Sequence, residues 1–175
     1  MREILQKVTS SLVLAASSVA AGAHPAEIES RLAFIIGDWT VAGSDAVYSD
    51  NCQWFEDKAF VVCDTRDARK GVLHHSIAVL GYSTANQNYT YQQYDNGGGS
   101  RNETCFTNDQ GGLTCLGQRR AGGQMIETRS YISPNTGGVG IRQEKSINAA
   151  PWAPVGQVQY VRRKPELPLP ARTKG

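Results

Sequence analysis

The sequence predicts an all-β protein: an antiparallel up-and-down barrel of roughly ten strands, preceded by a short N-terminal helix. Three observations carry this expectation. Apolar and polar residues alternate with a period of two from Asp38 to Lys164. Clusters of Gly, Asn, Asp and Pro interrupt the alternation at short, even intervals. A single segment near the start has helical spacing instead. A flat sheet of that width would leave two unpaired edges, and closure into a barrel removes them.

The helical segment is 25–36. Pro25 suits a first helical position, Ile28, Leu32, Ile35 and Ile36 recur on one face, and Gly37 ends the segment. Alternation then predicts strands over roughly 38–43, 52–55, 60–65, 72–81, 88–95, 101–107, 112–118, 125–132, 139–147 and 156–163. Turn chemistry separates them, as in Asn96-Gly97-Gly98-Gly99, Ala121-Gly122-Gly123 and the stretch from Ser133 to Gly138.

Composition narrows the function classes. The chain has 175 residues, 40% hydrophobic and 19% charged, with a net charge of +2. That is enough chain for one domain with a real core. The weak, interleaved positive charge does not make the basic face that nucleic acid requires. No apolar run reaches the roughly 18 residues of a spanning helix, so no stable membrane insertion is expected.

Residues 1–23 read as a secretory signal peptide. Arg2 and Lys7 precede an apolar stretch beginning at Leu12, and Ala21-Gly22-Ala23 supplies a small-x-small cleavage pattern. His24 would follow the cut, where a lipoprotein would have Cys. The expected location is therefore periplasmic or secreted. The expected domain is 24–164, followed by a Pro-rich basic tail over 165–175.

Four cysteines, Cys52, Cys63, Cys105 and Cys115, permit three pairings. Cys52 and Cys63 flank one hairpin and Cys105 and Cys115 another, which favours bridges across adjacent strands. No C-x-x-C occurs and no His lies near a Cys in sequence, so a metal or redox site is not expected.

The segment from Leu32 to Val41 resembles the calycin superfamily. Its Gly37-Asp38-Trp39 is similar to the G-x-W that opens the first lipocalin strand after a helix plugging one barrel end. This opening, together with Leu80-Gly81-Tyr82-Ser83 and Tyr89-Thr90-Tyr91, is similar to a bacterial group of exported calycin-like proteins of unknown function. The resemblance implies that Gly37, Trp39 and a late-strand arginine, Arg162, form a fold signature at the closed end. More distant relatives by architecture are fatty-acid-binding proteins and nitrobindins. The latter hold haem through a late His, and no His follows His75 here, so no cofactor is expected.

The candidate ligand residues are His75, Tyr91, Glu127, Arg129, Tyr131 and Arg142. His74 and His75 are adjacent in a strand and so face opposite sides. Glu127, Arg129 and Tyr131 share one face, and Arg142 shares one with Glu144 on the next strand. Facing inward, such groups would line a polar lumen that orients a ligand; facing outward, they would be solvated cross-strand ion pairs. The leading expectation is a lumenal site for a small apolar or amphipathic molecule. The alternatives are a cofactor-free isomerase, cyclase or hydrolase using a lumenal His, and a solidly packed structural barrel.

Overall fold

The structure, a computed structural model, describes residues 25–164. The expected signal peptide and basic tail lie outside the described residues. Helix α1 spans Pro25–Leu32, with Glu27 in its first turn and Arg31 in its last, each complementing the helix dipole. A single 3₁₀ turn, Ala33–Ile35, follows. The helix is shorter than the 25–36 that its spacing predicts, because the chain must tighten and turn before entering the barrel.

Ten strands follow: β1 Gly37–Val41, β2 Tyr48–Phe55, β3 Phe60–Asp67, β4 His74–Ser83, β5 Asn88–Asp95, β6 Ser100–Thr107, β7 Leu113–Ala121, β8 Gln124–Asn135, β9 Gly138–Ile147 and β10 Ala153–Arg162. Each pairs antiparallel with its chain neighbours, and β1 pairs with β10 to close the barrel. The sheet therefore has no free edge.

Among the boundaries that differ from the alternation, three have a clear physical cause. Strand β2 begins at Tyr48, so Ser49, Asp50 and Asn51 are strand residues despite their turn preference; β3 pairs with all three, and β1 pairs with Asp50 and Asn51 on the other side. Strand β8 continues through Ser133 and Pro134, leaving only Thr136 and Gly137 at the tip where a six-residue turn is expected. Strand β4 starts at His74, since Val72 and Leu73 remain exposed in the preceding loop. The β7–β8 hairpin turns on Gly122 and Gly123, whose φ values of 56° and 76° fit the left-handed pair that a tight hairpin turn needs.

Both disulfides join directly opposed residues, as the hairpin patterning predicts: Cys52 to Cys63 across β2 and β3, and Cys105 to Cys115 across β6 and β7. They belong to a core gathered at one end of the barrel with Trp39, Val61, Leu80, Tyr89, Leu113 and Val139. Leu32, fully buried, seals that end from the helix, and Ile28 and Phe34 pack around it. Burying one such leucine contributes about 2 kcal/mol. The two disulfides suit an oxidising compartment. Among the described residues no helix is long and apolar enough to cross a membrane.

Candidate functional site

Strand geometry sends alternate side chains into the barrel, and the disulfides show which set goes in. Cys52 is buried in the core, so Asp50 and Tyr48, two and four residues earlier on β2, face the lumen as well. The same parity sends Thr65 on β3, Ser76 on β4, Tyr91 and Gln93 on β5, and Arg101 and Glu103 on β6 to the inside.

The lumen is open and has two chambers. A deep chamber of about 410 Å³ lies above Trp39 and is walled by Ala78, Leu80, Ile132, Val139 and Ile141. A wider mouth of about 710 Å³ is lined by Asp67, Arg69, His74, Asp95 and Arg119. Tyr48, Thr65, Gln93, Arg101 and Tyr160 border both chambers and form the neck between them. Polarity therefore rises from floor to mouth.

The charged groups at and beside the neck are Arg101 with Glu103, Arg69 with Asp67, and Asp50. Arg101 reaches the buried Glu103 through Nε at 2.7 Å and Nη2 at 2.6 Å, and its Nη2 also donates to Ser130 Oγ at 2.8 Å. Arg69 grips Asp67 through Nε and Nη2, at 2.9 and 2.7 Å, and holds that carboxyl down at about 2. Asp50 accepts a 2.9 Å hydrogen bond from Thr65 Oγ1 and has no ion-pair partner among the described residues. Burial pushes its carboxyl up to about 6, against the lowering effect of Thr65 and with a smaller upward push from Asp64.

Three tyrosines line the same chamber. Tyr48 and Tyr160 hydroxyls lie 3.3 Å apart, and Tyr91 stands beside Arg101. Burial is the main cause that raises all three hydroxyls above the ordinary tyrosine value, and the Asp50 charge adds to it in each case. They remain neutral donors and π faces. Asp50 also lies near the sulfurs of Cys52 and Cys63, but both sulfurs are in the disulfide, so no thiolate remains to hold a metal there.

The sequence-selected residues divide by face. Tyr91 lines the lumen. His75 is on the outside, its Nε2 2.9 Å from Asp64 Oδ1 on the outer face of β3. His74 is the inward member of the pair, but it stands exposed at the mouth. Arg129, Tyr131 and Arg142 form an outer cluster around Glu144. Arg129 Nη2 and Arg142 Nη1 each reach that carboxylate at 2.6 Å. Arg142 lies 4.0 Å over the Tyr131 ring, and Arg129 stacks on Trp152 at 4.4 Å. Glu127 lines a shallow outer groove with Gln92 and Asn102. The expectation that these five residues line the lumen is corrected by strand parity: all five take the solvent side.

Sequence reasoning missed Asp50, Arg101 and Glu103. The signal for them is the cysteines, since Asp50 shares a face with Cys52, and Arg101 and Glu103 share one with Cys105.

The fold and the lumen together define a closed antiparallel barrel with an open, polarity-graded interior. No family profile matches the chain, and no curated protein is similar to it.

Proposed function

We propose that this protein is an exported, calycin-like barrel that binds a small amphipathic molecule in its lumen. The observation that carries the reading is the pair of connected chambers, apolar at the Trp39 floor and polar at the neck. Their size falls within the usual range of about 300–1,000 Å³ for small-molecule sites. The two disulfides and the signal-like N-terminus support export to the periplasm or beyond. The Gly37–Trp39–Arg162 arrangement supports calycin kinship, because it caps the barrel end opposite the mouth.

For the enzymatic alternative, His75 points away from the lumen and His74, the inward histidine, stands exposed at the mouth, outside the deep chamber; the solidly packed alternative does not fit an interior of this volume. Native mass spectrometry of protein purified from its own host compartment tests the reading. A co-purifying small molecule, released on denaturation, is the expected result. Repeated absence, with no thermal shift across lipid and metabolite panels, would overturn it.

A further inference from the structure

We infer that the deep chamber selects a cationic amphiphile, an apolar body carrying a protonated amine or quaternary ammonium, whose nitrogen sits against Asp50 among Tyr48, Tyr91 and Tyr160. The inference rests on the lumenal-binding reading and names the chemistry of that site.

Charge balance is the first ground. Among the described residues only Asp50 and Arg101 bring formal charge to the deep chamber wall. Arg101 is already matched by Glu103 and anchored by Ser130, so its guanidinium has little left to offer an incoming anion. Arg69, which lies 4.7 Å over the Tyr48 ring from the mouth side, is likewise held by Asp67. Among the described residues Asp50 has one hydroxyl donor, Thr65, and no cation paired with it. A half-buried carboxylate without a counter-charge is costly, and a ligand cation removes that cost.

Aromatic surroundings are the second ground. Tyr48, Tyr91 and Tyr160 line the same chamber as the carboxylate, with Arg69 over one face of Tyr48 and Arg101 over one face of Tyr91, and aromatic rings with a carboxylate are the chemistry that holds ammonium groups. Position is the third. Along β2 the inward residues run Tyr48 at the neck, Asp50 below it and Cys52 near the floor. Trp39 is paired directly with Asp50 across β1 and β2, so a nitrogen at Asp50 leaves the alkyl body lying beside Trp39 and reaching towards Leu80 and Val139. Among the described residues no further charged side chain lines that part of the chamber.

Isothermal titration calorimetry on the full chain, purified with both disulfides formed, tests this with four probes of one chain length: decylamine, decyltrimethylammonium, decanol and decanoate. Both ammonium probes are expected to bind more tightly than decanol and decanoate. Asp50→Asn is expected to weaken the ammonium probes about tenfold or more while leaving decanol unchanged. Decylamine binding better than the quaternary probe would mean that hydrogen bonding to Asp50 contributes, and the reverse would mean that the tyrosine faces dominate; either supports the inference.

A second measurement needs no variant. Lowering the pH from about 8 to about 5 protonates Asp50, which titrates near 6, and is expected to weaken ammonium binding to wild type. The groups around Asp50 are Tyr48 from its own strand, Thr65 from β3, Tyr91 from β5, Arg101 from β6 and Tyr160 from β10, with Arg69 and Asp64 further out. Loss of the pH dependence in Asp50→Asn assigns it to this carboxyl. If decanol and decanoate bind as well as the ammonium probes and Asp50→Asn changes nothing, the inference fails and the lumenal reading stands. If no probe binds, both fail.

Discussion

The guanidinium carbon of Arg162 lies 3.9 Å from the centroid of the Trp39 ring, and the two residues are paired directly across the seam where β10 meets β1. The seam is short, running only from Trp39 to Val41. To reach the ring, the guanidinium crosses over Gly37, where a Cβ would meet Arg162 Nη1 at 1.3 Å. Gly37 also has a φ of 137°, a conformation that side chains rarely adopt. Trp39 Nε1 completes the arrangement by donating to the Ile35 carbonyl at 2.6 Å.

Two substitutions follow from this geometry. Arg162→Ala removes a cation–π contact worth about 1 kcal/mol and should lower the thermal midpoint by roughly 2–4 °C. Gly37→Ala displaces the same guanidinium and adds backbone strain of about 1–3 kcal/mol, so its drop should be larger. Thermal denaturation followed by circular dichroism ranks the two. A Gly37→Ala protein as stable as wild type would show that the Arg162 contact does not hold the seam.

The disulfides separate stability from binding. Each closes a short loop, with a sequence separation of 11 for Cys52–Cys63 and 10 for Cys105–Cys115. Such loops contribute roughly 2–3 kcal/mol in chain-entropy terms. Only the first bridge lines the deep chamber. Replacing Cys105 and Cys115 with Ala should therefore lower the thermal midpoint alone, whereas replacing Cys52 and Cys63 should also alter decanol affinity by enlarging the chamber wall. Equal effects on affinity from both pairs would contradict this placement.

Much of the barrel is legible in the sequence because two physical signals agree along most of it: period-two alternation and Gly- or Asn-rich turns. Alternation is symmetric, however, and does not say which set faces in. On β4 it sets His75 with Leu73, Ile77 and Val79, an apolar row that looks like a core face. Ile77 is in fact 46% exposed, while Ser76, Ala78 and Leu80 go inside. Cross-strand bridges break the symmetry, since a disulfide buried between directly opposed residues fixes the inner parity of both strands. Asp50 was hidden for a second reason: Asp50 and Asn51 carry loop preferences that pairing on both sides overrides.

Parity also predicts what the outer cluster will not do. The Arg129, Arg142 and Glu144 triad sits on the solvent face, where ion pairs contribute about 0–1 kcal/mol. Arg129 lowers the Glu144 carboxyl chiefly through its hydrogen bonds, with Arg142 adding charge. Arg142→Ala, Glu127→Gln and His75→Ala should each leave decanol and decylamine affinity within about twofold of wild type and change stability by under about 1 kcal/mol. A tenfold loss of binding in any of them would place that side chain in the site and overturn the parity assignment.

Asp50 should make the empty protein less stable as the pH rises. Its carboxyl titrates near 3.8 in an unfolded chain and near 6 when folded, so the folded state binds the extra proton between those values. The contribution of Asp50 to stability is then greatest below about pH 4, falls as the pH rises through the window, and stays lower above about pH 6. The lost stability is on the order of 2–3 kcal/mol for a shift of this size. Asp50→Asn keeps an oxygen that can accept the Thr65 hydroxyl and removes the buried charge, so it should raise the thermal midpoint at about pH 7.5 and show no advantage at about pH 4. Thermal melts of both proteins across that range check the sign. A variant that is less stable than wild type at neutral pH would mean that Asp50 is held by a favourable partner in the folded chain. Higher stability together with weaker ammonium binding would mark this carboxylate as retained for recognition at the expense of the fold.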